Sequence, residues 1–586
     1  MIKTSIFIFV RFLAAATMQL VISRIPGVLS VGTPTEHAAE DSGCTCPTNS
    51  LGPILSCAAD TCTYSLQVTY WIGYQPGTNG TSLLFSECPT GYCYSNGTQP
   101  NFIVPVNGTR EQLDGLICGG QYRTGLVCGE CVAGTAPAIN SDTFTCVQCS
   151  PGDARLNVLY YILAVYIPLL VIFLCIIVLN IKLTTGPANA FILYAQIVSS
   201  TFGLTADGQI PLSSISPHSG RLVNSYKVPY NLFNLQVFGN LLPPLCIGTE
   251  LNTMDIISLK YLEAVFPLLV IILIVVLLKF QRCIGRGGTT CCAVRHRWKC
   301  SLLPALAAFL LLSYNRFCFI AAQVIAPQPI WDLEHNQVIT SAYFEATFAL
   351  NDAMYVVRYA LPTFLILITF VLLLPLLLLD YPLKWLEKCC VRYECVSRHI
   401  SSANIHVLLD VFQGCFKDNR RFFAGMYFLF RLSMYITYAS TDAWILQYIV
   451  QQFLVTGYIV LLAVYLPYKN KLLNYIDILI FTNLAFLNML TIYIMWALQS
   501  TDPISDARIA FFIQYVFVIM PGVCMVGYVA YNIFVCVSRH SNITMLEKPI
   551  GQLELVSNVE QSIKNPPNDE IDVLLDRATL GKTYMS

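Results

Sequence analysis

Two arginines stand inside apolar runs of this chain, Arg316 and Arg431. A guanidinium at the centre of a hydrocarbon layer costs about 2.5–3.5 kcal/mol on insertion-derived scales, so each needs a partner or a task. The candidate partners are Asp477, Asn483 and Asn488, which share a third apolar run. Asp477 lies about a turn and a half beyond Lys471, within reach of a long side chain from the helix that carries Arg431. A fold-holding hydrogen-bonded or ionic pair is the favoured reading over a transport or gating site.

The cysteines offer a different chemistry. Cys128-Gly-Glu-Cys131 is followed by Cys146-Val-Gln-Cys149, a spacing that suggests zinc in a reducing compartment. The setting argues for disulfides instead. The segment around them carries Cys44, Cys46, Cys57, Cys62, Cys88, Cys93, Cys118, Cys128, Cys131, Cys146 and Cys149, together with Asn-Gly-Thr acceptors for glycan at Asn79, Asn96 and Asn107. Eleven thiols cannot all pair internally, and Cys246 is the expected twelfth.

Elsewhere the chemistry is thinner. Cys283, Cys291, Cys292, Cys300, Cys389, Cys390, Cys395 and Cys536 lie near membrane boundaries, where S-palmitoylation, chiefly at Cys389 and Cys390, competes with plain reduced thiols. A zinc cluster of Cys291, Cys292, His296 and Cys300 is a third reading. Asp332, Glu334, Glu345 and Asp352 share a loop without Lys or Arg, so that loop should attract cations, although no EF-hand-like spacing is present. Glu570 with Leu574 and Leu575 has the form of an acidic dileucine sorting signal for a cytosolic adaptor, with a short amphipathic partner helix as the competing reading. None of the seven His sits in HExxH, and no GxSxG occurs, so neither an enzyme nor a cofactor is expected.

The elements that position these residues follow from composition. Of 586 residues, 55% are apolar and 12% charged, the net charge is zero, and the mean hydropathy is +0.60. A purely soluble enzyme and a nucleic-acid binder are thereby excluded, and the lipid bilayer becomes the first partner. Apolar runs near the roughly 20 residues needed to cross a bilayer fall at 158–180, 188–206, 261–280, 302–324, 357–379, 422–440, 444–466, 474–497 and 509–535. Residues 1–23 read as a signal peptide, with an uncleaved signal-anchor as the alternative because Arg11 splits the apolar stretch. The organisation expected is thus a leader, a cysteine-rich glycosylated extracellular module at 24–156, an α-helical block of about nine transmembrane helices at 157–536, and a polar cytosolic tail at 537–586. Basic clusters after the third, fifth and seventh spans place the N-terminus outside and the C-terminus in the cytosol of a plasma-membrane protein.

Several stretches carry a family likeness: CPTGYC at 88–93, RTGLVCGECVAG at 123–134 with CVQC at 146–149, GPANAFILYAQIV at 186–198, LLSYNRF at 311–317, FQGCFKDNRRFFAGMYFLFR at 412–431 and LPYKNKLLNYIDILIFTNL at 466–484. In this order they resemble an invertebrate family of multi-pass surface proteins whose cysteine-rich exported part sits directly against about nine helices. The resemblance implies that arrangement and a cell-surface setting, and it brings no ligand, reaction or ion selectivity. Asn474-Tyr-Ile-Asp477 also looks like the start of the third helix in voltage-sensor-like domains of polycystin and transient-receptor-potential channels. The run after Arg508 lacks the recurring basic residues that a voltage sensor needs. The expected function is a receptor-like surface protein for an extracellular ligand, with a cation channel or transporter of unconventional pore as the alternative.

Overall fold

The computed structural model describes residues 55–58, 63–67, 70–74, 83–89, 92–93, 101–105, 115–118, 122–140, 144–181, 183–184, 186–207, 230–235, 242–284, 289–332, 337–379, 409–440, 444–497, 509–527 and 530. The segment read as a leader, Cys44, Cys46, Cys62, the glycan acceptors Asn79, Asn96 and Asn107, the cysteines Cys389 and Cys390, and Glu570, Leu574 and Leu575 lie outside these residues, as does the side chain of Cys57. The chain divides into two units, Met1–Pro521 and Gly522–Ser586, and everything below concerns the first.

Its helices are α1 (Pro151–Leu179), α2 (Gly186–Asp207), α3 (Thr253–Ile284), α4 (Thr289–Ile325), α5 (Ala353–Leu379), α6 (Phe423–Ser440), α7 (Trp444–Tyr465) and α8 (Lys471–Ala497), and α9 begins at Ile509. Seven helices among the described residues are long and apolar enough to cross a membrane: α1, α3, α4, α5, α7, α8 and α9. This is a helical membrane protein by length and composition. Leu163, Ile167 and Val171 on α1, Leu361, Phe364 and Leu365 on α5, and Phe453, Val460 and Val464 on α7 point outward uncovered, as side chains facing lipid do. The other two expected spans are helices as well, α2 and α6, but much of each is buried by its neighbours.

Boundaries differ from the hydropathy reading for local reasons. Helix α1 starts at Pro151 rather than 158, because Ser150 caps it by accepting from the Asp153 N–H at 3.2 Å and Pro151 lacks an N–H to satisfy. Helix α3 starts at Thr253 rather than 261, where Asn252 Oδ1 accepts from the Asp255 N–H at 2.8 Å. Two wide π-type turns, Ile162–Tyr166 and Val356–Ala360, immediately precede the turns that hold Pro168 and Pro362, where the proline removes a donor from the ladder. Helices α5 and α6 approach so closely at Gly425 that an added Cβ would lie 2.8 Å from the Pro375 carbonyl and from the Leu379 side chain. A Gly425→Leu change is expected to prevent that packing and to abolish recovery of monodisperse protein; normal yield would show the seam to be pliable.

Small antiparallel sheets cap one end of the helices. Strands β1 (Leu55–Ala58), β2 (Thr63–Gln67) and β5 (Asn101–Pro105) form one sheet, and β3 (Tyr70–Tyr74) with β4 (Leu83–Glu87) belong to another. Two short pairs follow, β6 (Arg123–Thr124) with β7 (Glu130–Cys131) and β8 (Thr135–Pro137) with β9 (Cys146–Gln148). The loop between α4 and α5 is itself a β-meander, β10 (Pro327–Asp332), β11 (Gln337–Ala342) and β12 (Glu345–Ala349). It joins the N-terminal strands in one five-stranded sheet ordered β12-β11-β10-β4-β3, with Trp331 opposite Phe85 and Phe85 opposite Ile72. Trp71, Ile72, Leu84, Phe85, Tyr92, Ile117, Val127 and Ile330 make its core.

Candidate functional site

The cysteines of the Cys-x-x-Cys motifs bond to different partners and hold no zinc site. Cys88 is joined to Cys93, Cys118 to Cys128, Cys131 to Cys146, and Cys149 to Cys246. The last bond ties the end of β9 to the segment before α3, and polar contacts reinforce it. Asn140 Oδ1 accepts from the Leu245 N–H at 2.7 Å, the Ile139 N–H donates to the Leu245 carbonyl at 3.0 Å, and Asn157 Nδ2 donates to the Cys246 carbonyl at 2.9 Å.

A second tie runs through Glu345 on β12, which is only 4% exposed. Its Oε2 accepts from the backbone N–H of Thr253, the first residue of α3, at 3.2 Å, and its Oε1 accepts from Thr347 Oγ1 at 3.1 Å. A carboxylate from the sheet therefore supplies the acceptor that the open N-terminus of a long helix lacks. Beside it, the buried Arg123 guanidinium lies 3.5 Å over the Tyr92 ring and donates to the carbonyls of Cys128 and Phe144, while Tyr92 donates to the Phe344 carbonyl at 3.0 Å. Lys260 on α3 lies over the Phe144 ring at 4.3 Å. Expectation and structure part here. Of the four acids, Asp332 and Glu345 are buried in the sheet and not solvated, Asp352 caps α5 by accepting from the Met354 N–H at 3.3 Å, and Glu334 lies outside the described residues.

Burial pushes the Glu345 carboxyl up to about 7, against the lowering influence of its hydrogen bonds to Thr253 and Thr347 and with a further rise from Glu130. A folded value above the unfolded one means that the folded state holds the proton more tightly. Stability from this group is complete below about 4.5 and is lost as pH rises through about 7. Glu345→Gln is expected to flatten that slope in thermal unfolding scans; an unchanged slope would assign it elsewhere.

Inside the helices, the expected pairing of Arg431 with Asp477 is absent. Asp477 Oδ2 accepts from the Tyr427 hydroxyl, which is in turn 2.8 Å from the Tyr468 hydroxyl, and Arg431 Nη2 donates to Asn189 Oδ1 of α2 at 3.3 Å. No hydrogen bond or ion pair joins Arg431 to Asp477; Tyr427, one turn before Arg431 on α6, engages Oδ2 of the carboxyl, and Oδ1 is buried without a partner among the described residues. Arg316 is not held by α8 either. Its Nη2 lies 2.9 Å from Glu263 Oε2 on α3, and Glu263 Oε1 accepts from the Tyr161 hydroxyl on α1, so one carboxylate joins three helices. Asn483 accepts from Tyr194 of α2 at 3.0 Å and donates to the Phe517 carbonyl of α9 at 3.2 Å. Asn488 is buried without a partner among the described residues. Glu263 escaped the sequence reading because it stands at the edge of the apolar run 261–280, yet it is the single acid there, as Arg316 is the single base in its own.

At the opposite end from the sheets, the segment before α6 pairs with the connection between α7 and α8. Phe416 bridges Tyr468, the Lys417 N–H donates to the Pro467 carbonyl at 2.9 Å and the Lys469 N–H to the Cys415 carbonyl at 3.1 Å. Thr184, between α1 and α2, donates to the Val411 carbonyl at 2.9 Å, and Gln413 donates to the Leu378 carbonyl at the end of α5, also at 2.9 Å. Comparison with protein-family models, with curated proteins and with solved structures finds no match.

Proposed function

We propose that this chain is a nine-span receptor of the plasma membrane, in which an extracellular, glycosylated, disulfide-stapled module drives the N-terminal end of α3. The observation that carries this reading is the double tie of sheet to helix, through Glu345 to the Thr253 N–H and through Cys149 to Cys246. A ligand that tilts the sheet would move α3 with it, and α3 is packed along α4. The resemblance to invertebrate multi-pass surface proteins is part of the same proposal.

Parity supports nine crossings. Residues 149, 246, 327–332 and 337–349 share the sheet end, whereas 184, 378, 411–421 and 466–470 share the other. Between 184 and 246 the one long helix among the described residues is α2, which supports a crossing by α2. Residues 417 and 467 share one end and two helices, α6 and α7, lie between them, which supports a crossing by α6 together with α7. Lys417, Arg420, Arg421, Lys469 and Lys471 gather at the second end, and the sheet loop 326–356 has no Lys or Arg, which makes the second end cytosolic by the positive-inside rule. Glycosidase is expected to shift the mass through Asn79, Asn96 and Asn107, and glycan on Asn542 in the tail would overturn the odd number of spans.

The receptor is favoured over a channel because the polar groups that would line a path are closed off: Arg431 is 0% exposed, Asp477 1%, Asn483 4% and Asn488 1%. Reconstituted protein is expected to pass no current under voltage steps. Single-channel openings whose conductance changes with Asp477→Asn would replace the receptor by the channel.

A further inference from the structure

The guanidinium of Arg431 sits midway along α6 and is wholly buried where α2, α4, α6 and α7 meet. One of its nitrogens, Nη2, reaches Asn189 Oδ1, and its face is covered by the Phe428 ring, 5.2 Å from Cζ to centroid. Its Nε and Nη1 donors have no acceptor among the described residues. Close enough to interact electrostatically, from α7, is the buried hydroxyl of Tyr458, which also has no partner among the described residues. Tyr314 and Cys318 of α4 and Tyr435 of α6 are also close enough to interact, and Tyr314 already donates to the Val371 carbonyl at 3.0 Å.

Arg431 Nε and Nη1 and the Tyr458 hydroxyl can all donate, they accompany a full positive charge, and among the described residues no carboxylate hydrogen-bonds to or ion-pairs with Arg431. Asp477 of α8 accepts from Tyr427 through Oδ2, and no hydrogen bond or ion pair joins it to Arg431. A water molecule or a neutral carbonyl would satisfy the N–H and O–H groups but leave the charge uncompensated in a low-dielectric interior. An anion satisfies both. Because the Phe428 ring covers the guanidinium face, the edge that carries Nε and Nη1 is what remains for it. Arg431 lies about 12 Å along the helix axis from either end of α6, so a lipid headgroup at the interface is too far away and the ion must be small.

We infer that Arg431 and Tyr458 bind a compact monovalent anion, chloride or a similar halide, occluded within the helix block. The site is independent of the receptor reading: it stands on donors inside the helices and not on the sheet.

The test uses the full-length protein in detergent, with thermal unfolding followed in sodium chloride and in sodium gluconate at matched ionic strength. The wild type is expected to unfold at a temperature that rises saturably by several degrees with chloride. Tyr458→Phe removes a hydroxyl that has no partner among the described residues, so it should leave stability in gluconate unchanged and weaken the chloride dependence about tenfold. Arg431→Gln should abolish it. Should that variant fail to fold, Tyr458→Phe still decides. Equal unfolding temperatures for the wild type in the two salts, or a wild-type chloride dependence in Tyr458→Phe, would overturn the site.

Discussion

Replacing Glu263 by alanine is expected to destabilise the folded chain by about 3–5 kcal/mol, among the largest effects available to a single side chain here. The carboxylate accepts from both Arg316 on α4 and Tyr161 on α1, and neither partner has another acceptor within the described residues. Its loss strands a guanidinium whose Nε and Nη1 are already buried without partners. The penalty is thus set by the uncompensated charge and not by the pair's net attraction. That distinction can be measured. A double change, Glu263→Leu with Arg316→Met, removes the charge and its partner together and keeps most of the volume, so it should cost far less than Glu263→Ala alone, or even stabilise. Denaturant unfolding of the wild type, of Glu263→Leu and Arg316→Met singly, and of the double change in one detergent gives the cycle. A double variant that loses as much as the sum of its single changes would show that the triad is worth its hydrogen bonds after all.

How far this triad could be read in advance depends on what a hydropathy window responds to. Arg316 is legible because one base in an apolar run stands out. Glu263 is equally isolated, but it lies three residues into a run whose start was placed at 261, where an acid reads as a boundary residue. The true start at Thr253 puts it almost three turns inside the helix. The pairing of Arg431 with Asp477 failed for a different reason. Spacing along single helices gives reach but not which side chain arrives first, and Tyr427, an aromatic residue that sequence reasoning passes over, holds the carboxylate.

The sheet was the least legible part. Strand β10 contains Pro327 and Pro329, which argue against a central strand, and its partner β4 precedes it by some 240 residues. Proline is tolerated because the ladder to β4 uses Trp331 and Asp332, beyond the prolines. The disulfide partner of Cys246 was a matter of counting thiols, and that cysteine stands alone in its loop. Nothing in the spacing distinguished Cys149 from the other cysteines of the module.

Removing that bond by Cys149→Ser with Cys246→Ser is expected to destabilise the junction by about 2–5 kcal/mol, because the two cysteines are 97 residues apart and the closed loop constrains the unfolded chain. The helices between them should survive. The contacts of Asn140 with Leu242 and Leu245, and of Asn157 with Cys246, involve backbone carbonyls and amides that the change leaves in place, and the β4–β10 ladder holds the sheet independently. The loss should therefore appear as a local opening that exposes the segment 242–252 to protease before the helices unfold. The order of events discriminates between readings of the junction. If the variant unfolds in one step with unchanged protease resistance, the bond is dispensable to the docking of sheet on α3, and Glu345 carries the coupling by itself. In that case Glu345→Ala, which removes the acceptor from the Thr253 N–H, should release the segment where the cysteine change did not. If neither variant opens it, the sheet and α3 are held by apolar packing, and the proposal that a ligand moves one through the other loses its support.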